Sequence, residues 1–346
     1  MPSNTLKRMV SPGKVPLINI EGPVQEAGRH LGFTWAQSLR QAAQGYPAGS
    51  KPWWQHKQHR KLVRKHAPHL PELYRAMARG AGIDDDRIGE HLQIESTATG
   101  CTSFAVQPQA TLDGHPISGQ TKDTPISRLL QFQVLRLKLS DAPSALTLTY
   151  EGQLFGHGFV SGRCAIFRNS LYAGATQGSL PYPMWGILAL HCRTVEQVKQ
   201  LTSTADVSMG GHVTVADEKG GVLGIEMTGA GASYLKPKRG IYAHANAVVG
   251  NKRHLKFEKD TKFFKRKESL HRQERLLHLL NSNRGKLTSQ LAYTAMADHD
   301  GFPLSLCRHQ NENAMTCAAV VVEPTLKKLY VSRGSPCQNW PATYQL

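Results

Sequence analysis

The sequence predicts an α+β fold of antiparallel sheets with helices in blocks, and three observations carry that prediction. Apolar residues recur at three- and four-residue spacing mainly before residue 100, whereas strict alternation dominates after it. The alternating runs are joined by short turn-forming segments such as Leu112-Asp-Gly-His115 and Asp217-Glu-Lys-Gly-Gly221. Such segments close hairpins, while a parallel sheet needs long helical crossovers. At 346 residues, 40% hydrophobic and 19% charged, the chain is globular and long enough to bury a sizeable core.

The elements follow in order. Lys14 to Ile20 reads as an opening strand ending at Glu21-Gly-Pro, and Val24 to Ala43 as an amphipathic helix. A basic segment and Pro68-His-Leu-Pro71 interrupt, then Leu73 to Gly80 forms a second helix closed by its glycine. His91 to Glu95 leads into Thr97-Ala-Thr-Gly-Cys-Thr-Ser-Phe104. Cys101 to Val106 is a strand, Ile117 to Thr121 its return, and Gln131 to Leu139 and Leu146 to Tyr150 alternate on either side of an Asp-Ala-Pro-Ser turn. Val213 to Ala216, Val222 to Met227, Ile241 to Val249, Thr316 to Val322 and Lys328 to Ser332 complete the strands. Helices fall near Thr194 to Thr202, where Thr194 and Gln197 make a capping box, and near Glu268 to Leu280. No internal repeat and no low-complexity linker is present.

The formal net charge of +17 is concentrated in Lys51 to His66 and Asn251 to Arg272. Runs of this kind suit a nucleic acid, an anionic membrane or a polyanionic cosubstrate, and equally serve as a solvated surface. Trp53, Trp54, Phe263 and Phe264 interleave the charges in the way a single-strand-binding surface would. His56, His59, His66 and His69 have suggestive spacing but sit among lysines and arginines that repel cations, so no metal is expected. The six cysteines (101, 164, 192, 307, 317, 337) form no Cys-x-x-Cys pair, which predicts reduced thiols and no zinc ribbon. No apolar run approaches the roughly 18 residues of a membrane span, and Met1-Pro-Ser-Asn-Thr-Leu-Lys-Arg is followed by no signal-type apolar core. The expected compartment is the cytoplasm, with no membrane association.

The chemically informative bond is Gly100–Cys101. Cut there, the chain gains a new first residue carrying both a thiol and a free α-amine. The thiolate is the nucleophile, and an α-amine of pKa about 7.7–8.0 is a base that works near neutral pH. Gly100 suits an N→S acyl shift because it tolerates backbone strain. On the dipeptide alone, a small buried cysteine opening a strand is the simpler reading.

The wider pattern decides between them. Met77-Ala-Arg-Gly-Ala-Gly-Ile83, Glu95, Gly100-Cys-Thr-Ser-Phe104, Gly119-Gln-Thr-Lys-Asp123, Ala216-Asp217 with Gly224-Ile-Glu226, Tyr242-Ala-His-Ala-Asn246, Ser269 with Arg272 and Arg275, Leu304-Ser-Leu-Cys-Arg-His309 and Arg333-Gly-Ser-Pro-Cys337 occur in one order. This series resembles the acyl-coenzyme A:isopenicillin N acyltransferase-like family of N-terminal nucleophile hydrolases of the cysteine type, from about Gly80 to the C-terminus. The resemblance implies a four-layer αββα sandwich and self-cleavage before Cys101. Residues 1–100 would become a mainly helical α-subunit and 101–346 a β-rich catalytic β-subunit, the two fragments staying together as one domain.

By position it also implies catalytic roles. Cys101 would be the nucleophile of both cleavage and catalysis, and Asn246 an oxyanion donor. Asp123 would hold the new amine or an adjacent arginine. Arg308 would stabilise negative charge on Asp123 or on a substrate carboxylate. A structural Asp123–Arg308 ion pair is the competing reading. Thr102, Thr121, Lys122 and Ser305 are candidates for the substrate pocket. The implied activity is amide hydrolysis or acyl transfer on a small acyl substrate through a Cys101 thioester. No resident cofactor is expected; a coenzyme A thioester could enter as cosubstrate. A basic, non-catalytic binding protein for nucleic acid or another polyanion is the alternative, although nucleic acid is not the expected partner. Three departures bear on substrate choice. Thr121-Lys122 stands where the family often has Asn-Trp. Gly158-Phe-Val-Ser-Gly-Arg-Cys164 lacks an expected asparagine at Val160. Ala247 replaces a histidine after Asn246.

Overall fold

The computed structural model describes residues 14–45, 51–88, 100–171, 173, 180–208, 211–258, 263–309 and 315–346. The predicted His91–Glu95 segment and Thr97–Thr99 lie outside them. Sixteen strands are described: β1 (Leu17–Gly22), β2 (Gly100–Val106), β3 (Ile117–Thr124), β4 (Phe132–Leu139), β5 (Ala145–Tyr150), β6 (His157–Val160), β7 (Cys164–Asn169), β8 (Leu180–Pro181), β9 (Val207–Ser208), β10 (Gly211–Asp217), β11 (Val222–Thr228), β12 (Gly231–Leu235), β13 (Ile241–His244), β14 (Met315–Glu323), β15 (Lys328–Arg333) and β16 (Ala342–Gln345). Fourteen of them build two large sheets. One runs β1-β4-β5-β6-β7-β10-β11-β12 and the other β13-β2-β3-β14-β15-β16. All pairings in these sheets are antiparallel except β1 with β4.

Three apolar clusters give the layer order. Leu31, Leu73, Met77, Trp185 and Leu188 on helices, with Trp35 between two of them, join Leu135, Leu137, Ile166, Val213 and Ile225 on one face of the eight-stranded sheet. Val134, Leu146, Leu148, Phe159 and Phe167 on its other face join Val320, Val322, Leu329 and Val331 of the six-stranded sheet. The far face of that second sheet packs Phe104, Val106, Ala319 and Val321 on Leu276, Leu280, Tyr293 and Met296 of the Phe263–Ser282 and Ser289–Met296 helices. Helix, sheet, sheet, helix is the αββα sandwich. Alternation makes it possible, because each strand sends successive side chains into different cores.

Several predicted elements differ from the structure in instructive ways. The Val24–Ala43 helix is two helices, Val24–Thr34 and Ala36–Gln44, separated by Trp35. That indole is buried and its Nε1–H donates to Gln133 Oε1 at 3.1 Å, so a tertiary contact breaks the helix. The second helix runs Leu70–Ala81 and is capped by Gly82 in the left-handed conformation (φ +65°), not by Gly80. A Cβ on Gly80 would stand 2.1 Å from the Arg29 carbonyl oxygen, so that glycine serves close helix packing. Thr194 accepts from the Gln197 amide as its capping role requires. The apolar Tyr182–Leu190 helix and the Thr288-capped Ser289–Met296 helix are additions to the predicted set. The strand predicted to run from Ile241 to Val249 stops at His244, and its remainder is the loop that carries Asn246. Among the described residues, no helix is long and apolar enough to cross a membrane.

The basic segments also resolve. Lys57–His66 is a helix that buries His59 and Val63, while Trp53 and Trp54 lie in the core at 1% and 2% exposure. Trp54 stacks on Tyr74 at 4.7 Å, so neither tryptophan is available to stack on bases. Of the histidines there, His56 stacks on His59 at 5.5 Å, His59 Nδ1 meets the Trp53 carbonyl, His66 meets Cys192 Sγ, and His69 packs beside His191.

Candidate active site

Cys101 is the second residue of β2, flanked by β13 and β3 in the six-stranded sheet. Cross-strand register fixes its neighbours: Gly100 opposes Asp123, Cys101 opposes Lys122, and Thr102 opposes Thr121. Side-chain alternation then divides the site into two faces. Ser103 Oγ meets Thr214 Oγ1 of the eight-stranded sheet at 2.8 Å, and Gln120 Nε2–H donates to Asn169 Oδ1 at 2.7 Å. Cys101 and Lys122 share that inter-sheet face. Thr102, Thr121 and Asp123 share the other, which is covered by the Phe263–Ser282 helix.

On the helix-covered face lies a buried charge network. Arg272, fully buried, donates from Nη1 to the Cys101 carbonyl oxygen at 3.0 Å and to Thr102 Oγ1 at 2.6 Å, and from Nη2 to Asn246 Oδ1 at 2.9 Å. Its guanidinium is 3.8 Å from Asp123 Oδ2 and 3.7 Å from Glu268 Oε1. Arg308 Nη2 is 2.9 Å from Glu268 Oε1, and its Nη1 is 3.9 Å from Asp123 Oδ2. Thr316 Oγ1 donates to Asp123 Oδ1 at 2.8 Å and accepts from the Arg308 amide at 2.9 Å. Two arginines and two carboxylates thus share one dry space with their charges balanced, the condition under which buried ions are tolerated.

At the nucleophile itself, the Cys101 backbone N–H donates to Asn246 Oδ1 at 3.0 Å. Because a guanidinium can only donate, the Arg272 contact fixes which end of the Asn246 amide is oxygen. The Asn246 NH₂ group therefore points the other way and donates to the Ser170 carbonyl oxygen at 2.8 Å. The loop is held from below by Ser269 Oγ, which accepts from the Asn246 and Ala247 amides at 2.8 Å each. Asn169 Nδ2–H donates to the carbonyls of Cys101 (3.4 Å), His244 (3.1 Å) and Ala245 (2.8 Å). Beneath it, His244 Nε2 lies 2.8 Å from Glu226 Oε1 and its Nδ1 2.9 Å from the Ala245 carbonyl oxygen. Burial pulls the Glu226 carboxyl upward, but His244 and the Val249 and Gly250 amides outweigh it and hold the carboxyl below its ordinary range.

The sequence-derived candidates thus separate by face. Gly100, Cys101, Asn246, Asp123 and Arg308 come together around one strand pair, with Asp123 set beside Arg272 and Arg308. Lys122 stands beside Cys101 across the strands and is 7% exposed. Burial pushes His157 well down, and the Lys122 and Arg168 charges push it further. Thr102 and Thr121 face the helix instead, bonded through Thr102 N–H to Thr121 Oγ1 at 3.2 Å. Ser305 is buried and its hydroxyl donates to the Cys307 carbonyl at 2.8 Å, shaping the turn ahead of Arg308. Gly100 has no left-handed backbone. A Cβ there would lie 2.7 Å from Arg308 Nη1 and 2.9 Å from Asp123 Oδ2, so close approach is what demands glycine.

Sequence reasoning placed Arg272 in the motif series without giving it a role, and it missed Asn169. The signal for Arg272 was available: Glu268, Ser269 and Arg272 fall on the same buried helical stripe as Leu276 and Leu280. Val160 ends one strand of the eight-stranded sheet without an asparagine, and Asn169, at the end of the next, is the asparagine that reaches the site.

The family model for acyl-coenzyme A:6-aminopenicillanic acid acyl-transferase matches residues 146–338, more than half of the chain. The chain belongs to this family. Its match covers Asn169, Asn246, Arg272 and Arg308, while Cys101 and Asp123 reach the same site through β2 and β3. A search of curated proteins returns no match. Among solved structures, a variant of the conjugated bile acid hydrolase from Clostridium perfringens is 11% identical over 71% of this chain and 97% of its own, with a TM-score of 0.49. Penicillin V acylase from Agrobacterium tumefaciens is 10% identical over 67% and 83%, with a TM-score of 0.39.

Proposed function

We propose that this member of the acyltransferase family is a self-processing cysteine N-terminal nucleophile enzyme that cleaves or transfers an acyl group at an amide or thioester. The observation that carries this reading is the bond from the Cys101 N–H to Asn246 Oδ1, with Arg272 locking the amide's orientation. In processing, the Cys101 thiol adds to the Gly100 carbonyl and the C–N bond breaks. The resulting thioester is hydrolysed by water, leaving a Gly100 carboxylate and a Cys101 α-amine. In turnover, the amine takes the thiol proton and the thiolate attacks the substrate carbonyl. The amine then passes that proton to the leaving group. Water or an amine resolves the acyl-enzyme.

Asn246 has two roles in this scheme. Its Oδ1 holds the α-nitrogen that acts as base. Its NH₂, directed away from Arg272, donates to the Ser170 carbonyl oxygen at 2.8 Å and lies 3.4 Å from Ser170 Oγ; the hydrogen on that longer contact turns to the developing oxyanion. Asp123 and Glu268 act through the two arginines and are positioning residues. Lys122 favours an acyl donor or acceptor with negative charge near the reacting carbonyl, a carboxylate or the phosphates of a coenzyme A thioester. The test is labelling of the processed protein with a thioester or β-lactone probe. A single adduct on Cys101, absent in Cys101→Ala, supports the reading; no adduct on Cys101, or an equal one in the variant, contradicts it. Adding amines to the acylated protein then separates transfer from hydrolysis.

A further inference from the structure

A second cluster of reactive side chains lies beside Arg308 and takes no part in the chemistry above. His299 Nε2 and His309 Nε2 are 2.9 Å apart, and Cys307 Sγ and Cys337 Sγ are 3.6 Å apart. His309 Nε2 is also 3.5 Å from Cys307 Sγ and 3.2 Å from Cys337 Sγ. All four ligand atoms lie within 4.8 Å of one another. We propose that His299, Cys307, His309 and Cys337 form a structural zinc site of the Cys₂His₂ type.

One ring nitrogen has a single proton or a single lone pair to share, so His309 Nε2 cannot satisfy three partners at once by hydrogen bonding. A point ligated by all four groups satisfies them together. Bonds of about 2.3 Å to sulfur and 2.0–2.1 Å to nitrogen in a tetrahedron set S···S near 3.8 Å, S···N near 3.5 Å and N···N near 3.3 Å. The four separations given above lie within about half an ångström of these values, and His299 Nε2 is within 4.8 Å of both sulfurs. Two thiolates and two neutral imidazoles also neutralise a divalent ion, and this soft donor set suits zinc. A Cys307–Cys337 disulfide is the competing arrangement, but it would need the sulfurs to close from 3.6 Å to about 2.05 Å.

The ligands come from three segments: the turn after the Ser289–Met296 helix, the stretch before β14, and the turn after β15. The Cys307 amide donates to the Asp298 carbonyl, and the Asp298 carboxylate is held by both Nε and Nη2 of Arg275 at 3.0 and 2.8 Å, so the outer framework is already ordered. Cys307 and His309 flank Arg308, whose side chain is turned to Glu268 and Asp123. A metal there clamps the backbone on both sides of that arginine. Cys337 and His299 are exposed, which leaves a route for the ion.

The test is metal content and cobalt spectroscopy on the full-length chain. It reads the same on processed and unprocessed protein, so it stands apart from the proposed activity. About one zinc per chain is expected to survive desalting, and cobalt added to the metal-free protein should give a thiolate-to-cobalt absorption that falls in Cys337→Ser. If the cysteine variant fails to fold, His299→Ala at the exposed position serves instead. It should weaken zinc binding by more than the 10- to 100-fold that loss of an outer-shell partner costs. No retained zinc, a cobalt spectrum lacking the thiolate band, or a Cys307–Cys337 cross-link in the digested native protein would each overturn the proposal.

Discussion

Two stretches of equal basicity in the sequence have opposite fates in the fold. The Lys57–His66 helix buries only His59 and Val63 and leaves Lys57, Arg60, Lys61, Arg64 and Lys65 exposed. The Phe263–Ser282 helix, with as many lysines and arginines spread over twice the length, places Arg272 at 0% exposure against the nucleophile's own carbonyl. The difference lies in the stripe, not the composition. In the first helix the buried positions are a histidine and a valine. In the second, Glu268, Ser269 and Arg272 continue the buried line of Leu276 and Leu280, so the core face becomes polar where it meets Cys101. A charge run therefore says little until its helical phase is read against the core.

The contrast sets the order of expected effects. Arg272→Met should be the most damaging change, because it leaves Asp123 and Glu268 buried beside a single arginine. A loss of about 3–5 kcal/mol in urea unfolding is expected, together with failed processing. Arg272→Lys should recover little, since an ammonium cannot reach the Cys101 carbonyl, Thr102 and Asn246 with one planar fork. Next, Asn246→Ala should lower the rate of Cys101 acylation by about 100- to 1,000-fold with the fold retained by circular dichroism. Wild-type rates in that variant would remove Asn246 from the oxyanion role.

A smaller effect concerns the segment that follows the first basic helix. Burial pushes His191 down to about 3, with the neighbouring His69 charge adding to it, and burial pushes His69 down to about 4. Both are neutral in the folded state, while the unfolded chain takes up these protons near 6.5. Stability should therefore be full above pH 6.5 and fall progressively toward pH 3–4. His191→Phe should flatten that acid limb in urea titrations at several pH values; an unchanged slope would show that other groups dominate. The smallest effect belongs to the exposed charges. Arg60→Gln, Lys61→Gln and Arg64→Gln should each shift stability by no more than about 0.5 kcal/mol and leave processing untouched.

Much of this architecture was legible in the sequence. The hairpins could be read because alternation and turn chemistry are local, and Cys101 was singled out by the ordered series of motifs rather than by the glycine–cysteine step alone. The order of short motifs also led to Asn246, Asp123 and Arg308, which the fold gathers around β2 and β3. Other features depend on distant partners. Trp35 ends a helix because Gln133 lies above it, and the strand that begins at Ile241 yields to a loop at Ala245, whose carbonyl, with that of His244, Asn169 holds. The face that each pocket candidate occupies follows from register, which sets Lys122 beside the thiol and turns Thr102 and Thr121 away. The His299–Cys337 cluster shows no motif spacing because three separate segments supply it.

The proposed chemistry requires the chain to cut itself at Gly100–Cys101, which intact mass of the purified protein beside Cys101→Ala will reveal. Self-cleavage gives two wild-type fragments of roughly 11 and 27 kDa, scaled by length from 38.1 kDa over 346 residues, and one uncut chain in the variant. A single 38.1 kDa chain in both proteins would contradict it, because the α-amine on which the mechanism depends would never be made.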